Sequence, residues 1–219
     1  MLRIREIFTI LASAMPTSNW TSGHDWLALA VSASFAAGLN VYATVATLGI
    51  LAHTGVLPLP ESLHVISEWW VIAVSSVMFV MEFFADKIPV FDLFWNALHT
   101  FIRVPMGALL AYGATQHLSP ESQALAAAMG GGLALISHSS KFAARTLVTP
   151  SPEPVSNALL SVGEDVGAIG LTWFATHHPY AAAGITGVLV VCLILATRWI
   201  VRGIRSAWAG LRNRLATSP

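Results

Sequence analysis

The chain has 219 residues, of which 55% are hydrophobic and only 10% are charged, and its mean hydropathy is +0.68. Soluble proteins carry about 25% charged residues, so this composition predicts an integral protein of the lipid bilayer. Zero net charge gives no basis for nucleic-acid binding, and the single cysteine, Cys192, excludes a disulfide framework. The apolar runs do not alternate, which favours helices over barrel strands as the spanning elements.

The first segment, residues 1–20, carries apolar residues at helical spacing between Ile4 and Met15. This pattern predicts an amphipathic helix that lies on the membrane surface. The alternative is a signal peptide that ends at Ala12-Ser13-Ala14, but Glu6 interrupts its short apolar run.

Residues 21–205 are predicted to form an all-α, polytopic transmembrane domain of about six helices. Apolar runs of roughly 20 residues mark the spans, and proline-containing segments separate them. The predicted spans are Trp26–Leu51, Glu68–Ala85, Leu93–Gly113, Gln123–Phe142, Val155–Thr176 and Tyr180–Val201.

Lysine and arginine indicate the orientation of these spans. They cluster before span one, between spans two and three, at the end of span four and after span six, whereas the alternate loops contain none. The positive-inside rule therefore predicts a multi-pass protein with both termini in the cytoplasm. Residues 206–219 then form a basic cytoplasmic tail.

A short internal match indicates a 3+3 inverted repeat. Gly38-Leu39 corresponds to Gly132-Leu133, and Pro58-Leu59-Pro60-Glu61 corresponds to Pro150-Ser151-Pro152-Glu153. The halves, residues 24–116 and 117–210, contain three spans each, so they insert with opposite orientation. Inverted repeats with a site near the midplane are typical of transporters. The alternative is a chance match in apolar sequence.

Span three carries Asp92, Asn96, His99 and Arg103 at spacings that place them on one helical face. Charges at membrane depth are costly, so they pair, line water or serve function. One interpretation is a polar path from the cytoplasm to Arg103; the other is a structural ion pair of Arg103 with Glu164 or Glu82.

Two acids near the end of span two, Glu82 and Asp86, are one turn apart. They are predicted to bind a cation or share a proton. The alternative is a solvated helix end beside Lys87.

Span four carries a basic stripe of His138, Lys141 and Arg145. These side chains are predicted to bind an anionic solute or a lipid headgroup. The alternative is that they only favour the C-terminal end of the helix and the cytoplasmic leaflet of the membrane.

Span five places Asn157 and Glu164 on one face, and Asp165 follows directly among glycines. Neighbouring acids diverge by about 100° on a helix, so they are expected to face different partners. Either acid is a candidate for ion or proton coupling; the alternative is that both only neutralise Arg103 and Lys141.

Taken together, these charged motifs resemble a bacterial inner-membrane family catalogued as domain of unknown function 4126, over about residues 25–200. The resemblance implies a compact multi-helix membrane domain in a bacterial inner membrane and no established activity. It is carried by Ala85-Asp-Lys-Ile-Pro89, Asp92, His99-Thr-Phe-Ile-Arg103, His138-Ser-Ser-Lys141, Arg145, Pro152-Glu-Pro154, Asn157 and Glu164-Asp165.

The mixed charge predicts a small transporter or permease for a charged solute, with no cofactor and no metal. The first rival hypothesis is a membrane enzyme or lipid-handling protein at the cytoplasmic face that binds phosphate headgroups through His99, His138 and the basic stripe. The second is a non-catalytic scaffold. Catalytic motifs such as HExxH, GxSxG and the P-loop are absent from the sequence, which weighs against an enzyme. The sequence is compatible with a homo-oligomer but does not specify one. The predicted solute-binding residues are Arg103, His99, His138, Lys141, Arg145 and Asn157, and the predicted coupling residues are Glu164, Asp165, Glu82 and Asp86.

Overall fold

The computed structural model describes residues 23–85, 89–148 and 154–216. Within these ranges the structure is all-helical, with no β-strand, which confirms the all-α part of the predicted fold class. The surface helix predicted at residues 1–20 lies outside the described residues. The helices are α1 (Gly23–Leu39), α2 (Val41–His53), a 3₁₀ helix (Glu61–Ser67), α3 (Trp69–Ala85), α4 (Pro89–Ala114), α5 (Pro120–Val148), α6 (Pro154–His177) and α7 (Pro179–Ala216).

The first predicted span consists of two helices, because Asn40 interrupts it. Its backbone is extended, with φ −148° and ψ 105°, and its side-chain oxygen accepts a hydrogen bond of 2.9 Å from the Ala43 N–H. Asparagine is a preferred N-cap because its side chain replaces a missing helical acceptor. In an unbroken helix the Ala43 N–H would bond the Leu39 carbonyl, so the cap on α2 releases the last carbonyl of α1.

The end of α2 is fixed by a glycine. Gly55 has φ +78°, and hydrogen bonds run from the Val56 N–H to the Leu51 carbonyl and from the Gly55 N–H to the Ala52 carbonyl. This is the Schellman arrangement, in which a left-handed glycine satisfies the final carbonyls. The 3₁₀ helix that follows is bent by 61° relative to α3.

Prolines open four of the helices: Pro89, Pro120, Pro154 and Pro179 are each the first helical residue. Proline suits this position because its backbone has no N–H to satisfy and its φ is already helical. The sequence interpretation placed these prolines in the connections. Pro105, by contrast, lies inside α4, where it removes one helical hydrogen bond two residues after Arg103.

Helix α1 lies at the centre of the fold. It contacts α4, α5, α6 and α7, and its residues from Ala28 to Gly38 are buried almost throughout. Small side chains make this possible, because they allow helix backbones to approach closely. The Ser34 hydroxyl donates a 2.8 Å hydrogen bond to the Gly107 carbonyl of α4.

Glycines mark the closest approaches. A Cβ added to Gly38 would lie 2.3 Å from the Ala134 carbonyl oxygen of α5, and one added to Gly130 would lie 2.5 Å from the Gly107 carbonyl oxygen. These two glycines therefore permit the close approach of α5 to α1 and to α4. Gly132 differs, because a Cβ there would meet no atom within 4 Å.

Among the described residues, two helical segments are long and apolar enough to cross a membrane, Ala158–His177 in α6 and Pro179–Gly203 in α7. A third is present if the 3₁₀ helix and α3 count as one bent span. The predicted count of six spans is not confirmed. In the first predicted span, α1 has 17 residues and α2 has 13, and each is shorter than the roughly 20 residues that a 30 Å hydrocarbon layer requires.

The last helix is longer than any bilayer span. Helix α7 has 38 residues, which corresponds to about 57 Å at 1.5 Å per residue. It continues beyond the boundary predicted at residue 205, so the basic segment of the tail prolongs α7 as far as Ala216.

Candidate functional site

Charged side chains from four helices meet at the break between α1 and α2. Most are buried, although Glu164 is partly accessible. We call the following residues the charged cluster: Glu82 of α3, Arg103 of α4, Lys141 of α5, and Glu164 and Asp165 of α6.

Arg103 is fully buried and contacts a carboxylate and a histidine. Its Nη2 forms an ion pair with Glu82 Oε1, and its Nη1 lies 2.8 Å from Nδ1 of His138. Because a guanidinium has no acceptor, the Arg103 N–H donates and His138 Nδ1 accepts. His138 is therefore the neutral tautomer with its proton on Nε2, which donates to the Thr100 hydroxyl at 2.7 Å.

Lys141 sits at the carbonyl end of α1. Its Nζ lies 3.1 Å from Glu164 Oε2, 3.5 Å from Glu82 Oε1 and 3.3 Å from the Leu39 carbonyl oxygen that the Asn40 cap releases. The C-terminal end of a helix carries partial negative charge, so an ammonium is favoured there. Lys141 consequently links α5 to α3, to α6 and to the break itself.

Asn40 connects the other side of the break to α6. Its Nδ2 donates a 2.8 Å hydrogen bond to Asp165 Oδ1 while its Oδ1 caps α2. Glu164, the preceding residue, contacts Lys141 instead. The two adjacent acids thus face different partners, as the helical geometry of the sequence predicted.

We expect Asn40→Ala to lower the free energy of unfolding by about 1–3 kcal/mol, because it removes an N-cap and a buried hydrogen bond to a carboxylate. Thermal unfolding in detergent measures the change. The control is Ser119→Ala, which removes an exposed contact with the Ser122 N–H at the start of α5. Equal losses in the two variants would contradict a special role for the break.

His99 joins α4 to α2. Its Nδ1 donates to the Trp95 carbonyl at 2.7 Å, because a carbonyl can only accept, and its Nε2 lies 3.0 Å from the Tyr42 hydroxyl. The Tyr42 and His99 rings also make an edge-to-face contact, with centroids 5.5 Å apart. Both ring nitrogens of His99 therefore contact protein atoms.

The two oxygens of the Glu82 carboxylate differ in their contacts. Glu82 Oε1 contacts Arg103 and Lys141, whereas Glu82 Oε2 is buried and accepts no hydrogen bond from the described residues. Buried polar atoms almost always have partners, because an unsatisfied one costs roughly 1–3 kcal/mol. Such an atom is a candidate acceptor for a proton or a bound ion.

The structure brings together seven of the predicted site residues. Arg103 pairs with Glu82, one of its two predicted partners, and Glu164 pairs with Lys141. The seven residues are Glu82, His99, Arg103, His138, Lys141, Glu164 and Asp165. The side chains of Arg145, Asn157, Asp92 and Asn96, and the whole of Asp86, lie outside the described residues.

Sequence reasoning missed Asn40 and Tyr42. Asn40 carried a detectable signal, since a lone amide inside a long apolar run is a typical helix N-cap. Tyr42 carried none, because its role depends on the packing of α2 against His99.

The cluster contains more acids than cations. It has three carboxylates and two cations, and the Lys141 ammonium contacts two of those carboxylates. A charged group on a small solute has the chemistry to replace a partner in one of these ion pairs. The arrangement suits binding and release of ions more than covalent chemistry.

An apolar cavity of about 210 Å³ lies elsewhere, between α1, α4 and α5. Its walls include Val31, Ala111 and Met129, and no member of the charged cluster lines it. This cavity is therefore separate from the candidate site.

Comparison with known proteins gives one match. No curated protein and no solved structure matches the chain. The sequence model of a family described as "Domain of unknown function (DUF4126)" matches residues 27–199, a range that contains every member of the charged cluster. The chain belongs to this DUF4126 family.

Proposed function

We propose that this chain is a membrane transporter or permease for a small charged solute, which binds at the charged cluster. The observation that carries the proposal is the helix break at Asn40, with Lys141 at the carbonyl end of α1 and Asp165 held by the cap of α2. Discontinuous helices whose ends face charged groups are typical of transporter binding sites.

The electrostatics of the break support this proposal. The carbonyl end of α1 carries partial negative charge and the amino end of α2 carries partial positive charge. The two ends meet at a single residue, Asn40, so a solute at the break would meet fixed charges of both signs. This suits a zwitterion, or a small anion that moves with a cation or proton.

A contribution to stability is a weak explanation for the presence of buried charges in this cluster. A charged residue in the bilayer centre costs about 2.5–3.5 kcal/mol on insertion scales. Replacing a buried ion pair with apolar side chains of similar volume is often neutral or stabilising. Charges that do not increase stability are best explained by what they bind.

We also propose six spans, with α1 and α2 together as the first, and a 3+3 inverted repeat. The close contact of Gly38 with Ala134 supports it, because the segments that match in sequence pack against each other. The distribution of lysine and arginine supports cytoplasmic termini, and the resemblance supports a bacterial inner membrane.

A ligand screen tests the binding site. The purified protein is heated with phosphates, carboxylates, amino acids and metal ions across a range of pH. A ligand at about 100 times its dissociation constant stabilises the fold by roughly 2.7 kcal/mol. We expect at least one hit, which disappears in Arg103→Gln and in Glu164→Gln. Gly132→Ala, which alters an open position on α5, is the control that keeps the hit.

A non-catalytic scaffold is the second candidate, because the cluster forms closed ion pairs within the protein. Glu82 pairs with Arg103, and Lys141 pairs with Glu164. A scaffold predicts that neutralising these charges lowers stability while no member of the panel stabilises any variant. The same screen therefore separates the two candidates.

A further inference from the structure

The surroundings of the Lys141 ammonium have the composition of a cation site. Among the described residues, its oxygen neighbours include two carboxylates, Glu82 and Glu164, and the Leu39 carbonyl, at 3.1–3.5 Å. Carboxylate and backbone carbonyl oxygens are the ligands that hard cations take from proteins. The same oxygens would surround a free ion if the ammonium moved away.

We infer that Glu82, Glu164 and the Leu39 carbonyl form a binding site for a small monovalent cation, which the Lys141 ammonium occupies in this structure. An alkali metal ion or a small primary ammonium takes the site when Lys141 withdraws. As the coupling site of a transporter this inference rests on the proposed function, but binding of a cation to the purified protein does not require transport.

A monovalent ion matches the charge that Lys141 supplies to the site. Glu82 keeps Arg103 as a partner when the ammonium leaves, because Oε1 of Glu82 contacts both cations. With Asp165 included, the charged cluster carries one net negative charge while the ammonium is in place and two when it leaves. One added positive charge restores the charge that the cluster has in this structure, so a monovalent cation replaces the ammonium charge for charge.

A further ligand atom is already in place. Glu82 Oε2 is buried and accepts no hydrogen bond from the described residues, although Oε1 of the same carboxylate contacts Lys141. An incoming ion can be bound by both oxygens of this carboxylate, as cations often are by Asp and Glu. The flexible four-carbon stem of lysine allows the ammonium to withdraw without movement of α5.

The test uses the full chain with Lys141→Ala, which removes the ammonium and leaves the oxygens. Melting temperature is measured in potassium, sodium, ammonium and methylammonium chlorides, with choline chloride at equal ionic strength as the reference. We expect at least one small cation to raise the melting temperature of the variant by about 5 °C or more at saturation, and to change the wild type much less. The double variant Lys141→Ala/Glu164→Gln should lose the response, because it removes one carboxylate of the site and has the cluster charge of the wild type without an added ion.

Equal melting in all five salts would overturn the inference, and so would an undiminished response in the double variant. A Lys141→Ala protein that folds in a small-cation salt but not in choline would support it. If Lys141→Ala and Lys141→Met both fail to fold in every salt, the inference is tested on the wild-type protein instead. Acylation of Lys141 by an amine-reactive reagent should then accelerate saturably with a small cation relative to choline, and an unchanged rate would overturn the inference.

Failure of this inference is distinguishable from failure of the proposed function. Cation-dependent stabilisation of Lys141→Ala without transport of any solute would leave the site in place and remove the transporter. Transport of a solute without cation-dependent stabilisation of Lys141→Ala would support the transporter and rule out the cation site.

Discussion

Glu82→Ala is expected to destabilise the protein more than any other single change of charge in the described cluster. The variant removes a carboxylate that, in the described part of the chain, contacts both the buried Arg103 guanidinium and the Lys141 ammonium. Breaking a buried pair from one side costs about 3–5 kcal/mol, because the remaining charge is uncompensated. Thermal unfolding in detergent measures the loss, and Glu61→Ala, at an exposed position of the 3₁₀ helix, is the matched control.

A double variant separates the energetic role of Glu82 from its functional role. Glu82→Met/Arg103→Met removes both members of the ion pair and fills the space with apolar atoms. We expect it to recover most of the stability that Glu82→Ala loses and to lose ligand binding. Recovery of stability together with intact binding would show that this pair is only structural.

Gly38→Ala is the second change with a large expected effect. The added Cβ would lie 2.3 Å from the Ala134 carbonyl oxygen and 2.8 Å from the Ser137 Cβ, so α1 and α5 must separate. Backbone atoms cannot move aside as a flexible side chain can. We expect a loss of about 2–3 kcal/mol from overpacking, even though alanine favours a helix over glycine.

Gly132→Ala is its matched control, because it adds the same atom to a helix at a position with open space. It should stabilise the protein by up to about 1 kcal/mol through helix propensity alone. The difference between the two variants in thermal unfolding isolates the contact of α1 with α5. Equal effects would contradict the close approach at Gly38.

Much of the helical framework was predictable from the sequence, because long apolar runs and prolines are local signals. The prolines indicated where helices are separated, although four of them turned out to be the first residues of helices. The break at Asn40 was missed because the surrounding run, from Trp26 to Leu51, is apolar enough to be interpreted as one span. A single capping residue changes that interpretation without changing the hydropathy.

The charged residues of the site were also visible, since ionisable side chains stand out in an apolar chain. Their partners were only partly predictable. Helical spacing indicated that Glu164 and Asp165 diverge, but no local pattern specifies that Lys141 reaches the Leu39 carbonyl across 102 residues of chain. The pairing depends on how α5 and α6 pack around the break, which is a property of the tertiary structure.

Uptake into proteoliposomes tests the central claim most directly. The same panel of solutes is offered to vesicles that contain wild-type protein, Glu164→Gln or Gly132→Ala, with and without an imposed pH gradient. We predict that the wild type and Gly132→Ala take up at least one solute in a pH-dependent manner, and that Glu164→Gln loses this dependence. Uptake no greater than in protein-free vesicles, for every solute and gradient, would contradict the transporter and favour the scaffold.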